Sequence, residues 1–85
     1  MKIRGNFIAM LLGEKSELRE RKSDGQLYNF NTVAIMQDSD VGSIRVHEDV
    51  FKDLKNMEHF KVYEMQYEFN TEYNNYIVIG IKETR

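Results

Sequence analysis

Hydrophobic and polar side chains alternate along most of this chain, and the alternation breaks at a few short polar or glycine-bearing points. Ile3 to Leu12 puts Phe7, Ala9 and Leu11 on one side and Ile8, Met10 and Leu12 on the other, with Gly5 as a bend and Gly13 as an interruption. Leu27 to Met36 alternates over a longer run: Tyr28, Phe30, Thr32, Ala34 and Met36 share one face, and Leu27, Asn29, Asn31, Val33 and Ile35 the other. Neither face of that second run is cleanly polar. Such a strand buries both faces, or buries one and offers the other to a ligand.

Between these runs lies Glu14 to Ser23, highly charged, with Leu18 as its only apolar residue. One apolar residue cannot dock a helix. The stretch therefore reads as an extension of the first strand into an exposed β wing, with Leu18, Glu20 and Lys22 facing one way and Glu17, Arg19 and Arg21 the other. Ser23-Asp24-Gly25 turns the chain back into the second strand. Gln37-Asp38-Ser39-Asp40 marks another turn, and Val41 to Val46 a short third strand. The period then changes. Over Glu48 to Met57 the apolar residues Val50, Phe51, Leu54 and Met57 fall on one helical stripe, with acidic residues at its start and Lys52 and Lys55 near its end. Strand alternation returns over Phe60 to Phe69. Asn70 to Asn75 reads as a hairpin loop, and Tyr76 to Lys82 as a last strand presenting Ile77, Ile79 and Ile81 to the core.

The order β-β-β-α-β-β, in one domain spanning residues 1–85, predicts an all-β chain with one short helix: a five-stranded, OB-fold-like Greek-key barrel. A helix bundle is excluded by the single helical stripe. An SH3-like barrel is the structural competitor, and it does not call for a helix at this place.

Composition changes the picture in two respects. With 85 residues, no cysteine and no run near the roughly 20 apolar residues that span a bilayer, disulfides, thiolate metal sites and a transmembrane helix are all excluded. The start, Met1 to Phe7, mixes charges among apolar residues and has no small-residue cleavage site, so the expected location is the cytoplasm. Net charge is -2, yet it is unevenly spread: Met1 to Ile35 carries six basic against four acidic residues, and Met36 to Arg85 six against ten. One basic surface on an acidic molecule is thus allowed.

Catalytic chemistry has no visible carrier. His47 and His59 flank the helix without metal-ligand spacing, and read as surface or capping residues. Glu48, Asp49 and Asp53 read as a solvated helix face, Asp38-Ser39-Asp40 lacks the further ligands of a calcium loop, and no glycine motif cradles phosphate. The expectation is a protein without catalytic residues, metal or cofactor.

Aromatic and basic residues carry more. Tyr28 and Phe30 are two residues apart, roughly 6.6 Å along a strand, close to what successive unstacked bases require. Arg19, Arg21 and Lys22 precede them on the wing, and Arg45 follows on the third strand. Basic groups flanking an aromatic platform hold single-stranded nucleic acid; the competing reading makes the two rings core residues and the wing a solvated charge-balanced hairpin. Tyr73 stands at a loop tip, where burial is least expected.

Together, the wing basics Arg19 and Arg21, the run Gly25 to Asn31, the trio Ile44-Arg45-Val46, the Tyr63-centred strand and the Tyr73-tipped hairpin resemble the filamentous-phage helix-destabilising proteins. These are small dimeric OB-fold proteins that coat single-stranded DNA without sequence preference. The likeness runs over about Arg19 to Lys82. It implies DNA contacts by Arg21, Tyr28, Arg45 and Tyr73, a homodimer, a phage or mobile-element origin, and a role in protecting DNA replication or transfer intermediates, with RNA as the other possible strand. The family carries a further arginine in its last strand, where this chain has Gly80. The alternative is a protein-interaction module on the same kind of barrel, with no nucleic-acid role and a membrane-free life in either case.

Overall fold

A computed structural model describes residues 1–84. It contains β1 (Lys2–Glu20), β2 (Leu27–Gln37), β3 (Asp40–Val46), α1 (Glu48–Leu54), β4 (Val62–Asn70) and β5 (Asn75–Glu83). The five strands hydrogen-bond in a closed ring, β1-β2-β3-β5-β4 and back to β1, mostly antiparallel. The closing pair β3–β5 is parallel and only two residues long, Arg45 opposite Ile77 and Val46 opposite Val78. No helix among the described residues is long and apolar enough to cross a membrane.

β1 does two jobs because it is long. Its first half pairs with β4 from Lys2 to Met10, and its second half pairs with β2 out to Glu20. Gly13 does not end the strand: the register slips between Leu11 and Gly13, so a bulge re-aims β1 where it passes from one neighbour to the next. Gly5 makes room for its cross-strand partner, since a Cβ there would lie 2.5 Å from the Tyr67 hydroxyl.

Inward-facing residues from every strand meet in one core of Leu11, Val33, Val46, Val50, Leu54, Tyr63, Met65 and Val78. The helix joins it through Val50 and Leu54, while Phe51 and Met57 pack on its margin. The helix stops at Leu54, three residues short of the stripe read from sequence, and Met57 reaches the core from the turn that follows. Tyr63 is 2% exposed, and its hydroxyl is satisfied by the Glu58 backbone N–H at 3.0 Å, as a buried phenol requires.

Two strand faces differ from the expected ones. On β5 the core residue is Val78, with Ile81 packed against the core, in place of an Ile77-Ile79-Ile81 face. The cause is a bulge: Gln66 faces Gly80 but Tyr67 faces Val78, so Ile79 is the extra residue and the phase reverses across it. Phe60 lies outside β4, 72% exposed with φ of 65°, its N–H bonded to the Leu11 carbonyl. Along β4, Tyr63 and Met65 are buried, whereas Tyr67 and Phe69 on the same side are half-buried and joined by Tyr76, which stacks on Phe69 at 4.4 Å.

The turns follow their chemistry. Asp38 and Ser39 both take positive φ in the two-residue link from β2 to β3, as the strand twist demands. Gly25 has φ of 71° in the wing turn, where Gly25 N–H bonds the Arg21 carbonyl and Gln26 N–H the Asp24 carboxylate.

Candidate nucleic-acid interface

The wing exists because β1 and β2 outrun their neighbours. Pairing of β2 with β3 begins only at Thr32 opposite Arg45, whereas β2 continues to pair with β1 back to Leu27 opposite Glu20. From Leu27 to Asn31, therefore, β2 has a partner on one edge and none on the other. The radius of gyration, 13.4 Å, exceeds the ~12 Å expected for a compact 85-residue chain, as a projecting hairpin requires.

Direct pairing fixes which side chains share the wing's outer face. Arg19 lies opposite Tyr28, Glu17 opposite Phe30, and Lys15 opposite Thr32, which in turn lies opposite Arg45. Cross-strand partners point the same way, so Lys15, Glu17, Arg19, Tyr28, Phe30, Thr32 and Arg45 form one surface. Tyr28 and Phe30 are half-buried and outside the core, since the inward phase of β2 is that of Val33.

Guanidinium groups lie over both rings. Arg19 is 3.8 Å from the Phe30 centroid and Arg45 5.2 Å from it; Arg21 is 6.0 Å from the Tyr28 centroid, at the edge of such contact. Phe30 thus carries two cations, and Tyr28 is the more open ring. The arginines differ in what else holds them. Glu17 accepts from Arg19 Nη2 at 2.9 Å and pairs with Lys15 at 2.7 Å, and Arg21 lies 3.6 Å from Asp24. Arg45 has no ion pair among the described residues. Hydrogen bonds from Lys15 and then Arg19 hold the Glu17 carboxyl below its ordinary value of 4.5, so it stays ionised across the neutral range. The stabilisation from this ion triad is present above pH 4.5 and is lost only as pH falls through the depressed pKa.

Lys22 is exposed in the wing turn and touches no ring among the described residues. Tyr73 stands apart. It is 70% exposed on the β4–β5 hairpin, whose Thr71 donates twice to the Met1 carbonyl, at the opposite end of β1 from the wing. Of the seven residues singled out from sequence, five converge at the wing (Arg19, Arg21, Tyr28, Phe30 and Arg45), Lys22 flanks them, and Tyr73 does not join them within one chain.

Behind the platform, a cavity of about 320 Å3 opens between the unpaired edge of β2 and the start of α1, lined by Arg21, Tyr28, Asn31, Arg45, His47 and Ile77 among others. His47 is the helix N-cap: its Nδ1 accepts from the Asp49 N–H at 3.2 Å, the second of the two roles, surface or capping, that the sequence left open. Asn31 is 6% exposed, and its Oδ1 has no hydrogen-bond partner. Sequence reasoning passed over both residues as functional groups. The signal was available for Asn31, because Asn29 and Asn31 stand in the apolar phase of β2, where Val33 and Ile35 lead. Among the described residues no three His, Cys, Asp or Glu side chains are grouped to hold a metal ion.

No protein-family model, curated protein or solved structure matches this chain.

Proposed function

We propose that this protein binds single-stranded nucleic acid, DNA by its resemblance, on the outer face of the wing, and that its five-stranded ring is an OB-fold. Two features support the fold assignment: the ring order β1-β2-β3-β5-β4 with a parallel β3–β5 closure, and a helix between β3 and β4. The observation that carries the function is the convergence of Arg19, Tyr28, Phe30 and Arg45 on one outward surface. These cations and rings lie outside the core of a protein whose net charge is -2, so core packing does not account for their being gathered there. Bases stack on Tyr28 and on the guanidinium layer over Phe30, each stacked base contributing about 1–3 kcal/mol without regard to sequence. Arg21, Arg45 and Lys22 meet phosphates.

The protein has no tryptophan and five tyrosines, so tyrosine emission reports stacking directly. Titration with oligo-dT at low salt is expected to quench it; emission unchanged at saturation overturns the reading and leaves a protein-docking module in its place.

The same reading includes a homodimer. Val62, Met10, Met36 and Val41 are successive cross-strand partners over β4, β1, β2 and β3, facing away from the core, and Ile8 adjoins them at 53% exposure. An outward apolar row across four strands suits a second copy's row. Sedimentation at micromolar concentration is expected to give twice 10.1 kDa, and a clean monomer with and without DNA removes the dimer and the role of Tyr73.

A further inference from the structure

The wing has an edge as well as a face. Leu27 stands opposite Glu20, and one step further out the Arg21 N–H donates to the Gln26 carbonyl at 2.8 Å. Opposite residues of an antiparallel pair alternate between those that exchange hydrogen bonds and those that do not. Arg21 and Gln26 therefore set the phase: Tyr28 and Phe30 direct their main-chain groups at β1, while Leu27 and Asn29 turn theirs away from it. The β2–β3 hairpin fixes the same phase from the other end. Its two-residue link makes Gln37 and Asp40 a bonded pair, and counting back gives Ile35 and Val33 as the residues that bond to β3. Odd-numbered residues of β2 thus face the β3 side, but pairing with β3 goes no further out than Thr32, and Asn29 meets no strand there.

Asn29 also lines the cavity behind the wing, with Tyr28 and Asn31 beside it. Among the described residues no main-chain group bonds Asn29 on that side. Its N–H and C=O stand next to each other at this edge, a donor beside an acceptor, as they would to meet a residue of a further strand. The free run is too short to take a strand. Gly25, with positive φ, turns the chain on one side and the Thr32–Arg45 pair closes the other, so that only Leu27 and Asn29 lie clear of both.

A nucleobase fits where a strand does not. The pairing edge of every base sets a donor next to an acceptor: N3–H beside O4 in thymine and uracil, N4–H beside N3 in cytosine, N6–H beside N1 in adenine, N1–H beside O6 in guanine. The N–H and C=O of one residue complement any of them with two hydrogen bonds. The cavity, about 320 Å3, lies at the small end of ligand sites, roughly 300–1,000 Å3 in general, and suits one base. Tyr28 and Ile77 give it apolar wall, and Arg21 and Arg45 supply cations for the flanking phosphates.

We infer that the free main-chain edge of β2 at Asn29 binds the pairing edge of one nucleobase, whichever base it is, in the cavity behind the wing. The inference rests on the single-strand-binding reading above and deepens it: stacking holds base faces on the outer surface, and Asn29 holds one base by its edge. Main-chain groups cannot tell the four bases apart, so the contact adds affinity without sequence preference. It also rejects a duplex, whose pairing edges are already engaged.

Equilibrium binding of dT12 and of dT12 carrying N3-methylthymine throughout, at one low salt concentration, tests it. The methyl group removes the N3–H and leaves the ring faces and phosphates in place. The protein should bind the methylated strand about fivefold more weakly or worse, the lower end of what one good two-bond base contact is worth. Asn29→Pro deletes the free N–H at a strand edge, where proline costs no ladder bond, and should bind both strands as weakly as the parent binds the methylated one. Asn29→Ala keeps the main chain, and should bind as the parent does and retain the penalty for methylation. Equal binding of the two strands by the parent overturns the edge site and leaves stacking intact. So does a penalty that Asn29→Pro leaves in full, or one that Asn29→Ala abolishes. Should Asn29→Pro fold poorly, the parent and Asn29→Ala decide the matter with the same two strands. Failure of both strands to bind the parent overturns the single-strand-binding reading itself, and this inference with it.

Discussion

The same two strands, β1 and β2, run from the buried core out into a largely exposed hairpin, and the contrast lies in their neighbours. Around Leu11 and Val33 each strand has a partner on both edges and a core on one face, and these residues are 0% and 1% exposed. About seven residues further along β1 the pairing between β1 and β2 continues, but β4 and β3 have fallen away. There Leu18 and Leu27 are 67% and 64% exposed in the same inward phase. Ring residues are held by burial; wing residues are held by one antiparallel ladder and by side chains on its outer face. A two-stranded hairpin alone is marginal in water, so the wing depends on the ring to anchor it. It gains from that arrangement a surface whose side chains serve no core.

The largest expected effect breaks the ring. Leu54 of α1 is 1% exposed in the core, and Leu54→Ala should lower stability by roughly 2–5 kcal/mol, as buried leucine truncations do. Chemical denaturation measures it. Nucleic-acid affinity of the folded fraction should stay unchanged, because the wing touches no part of α1 beyond its first residues. A loss below half a kilocalorie would put the helix outside the core and undo the account of the ring.

The contrast also governs what could be read from the sequence. Alternation and a change to helical period were enough for the element order and the wing, since these follow from side-chain direction alone. Bulges were not legible: Leu12 and Ile79 are each the extra residue of a register slip, and at Ile79 the slip exchanged the inward face of β5. A period-2 reading has no means of registering one unpaired residue. That Arg19, Tyr28 and Phe30 share one outward surface was legible because wing position does not depend on long-range register, and Tyr28 and Phe30 keep their phase whichever strand lies beyond. Asn31 and His47 were missed for the opposite reason. They line one cavity where β3 ends at Val46, between the edge of β2 and the cap of α1.

Next in size is a pair of substitutions that sharpen the division of labour within the wing. Tyr28→Ala should cost about 1–3 kcal/mol of binding at every salt concentration, as loss of one stacked base does, and under about 1 kcal/mol of folding stability, because the aromatic ring lies outside the core. Arg45→Gln should behave differently. Arg45 has no ion pair among the described residues to lose, so its removal should weaken binding most at low salt and flatten the plot of log K against log salt by about 0.7 for the one phosphate left unneutralised. Should Tyr28→Ala unfold the protein while the remaining folded fraction binds as before, the tyrosine belongs to the fold's stability and the stacking mechanism is wrong.

The smallest effect concerns the one acidic residue on the outer face. Glu17 lies opposite Phe30 and engages both Lys15 and Arg19, so it occupies two cations that could otherwise meet phosphates. Exposed ion pairs contribute little to stability, and Glu17→Gln should leave the melting temperature nearly unchanged. Binding should respond in the opposite direction from every other substitution on this face. With the carboxylate gone, Lys15 and Arg19 are free to release counterions from the strand, so affinity should rise at low salt and the salt slope should steepen by up to about 0.7 for each further phosphate neutralised. Near neutral pH the parent protein should show no such change on mild acidification, because the same hydrogen bonds that hold Glu17 to its partners keep its pKa below 4.5. The gain should appear in the parent only when pH falls through that lowered pKa. Weaker binding by Glu17→Gln would mean that the triad positions Arg19 over Phe30 rather than restraining it, and that the guanidinium layer needs its carboxylate in place to receive a base.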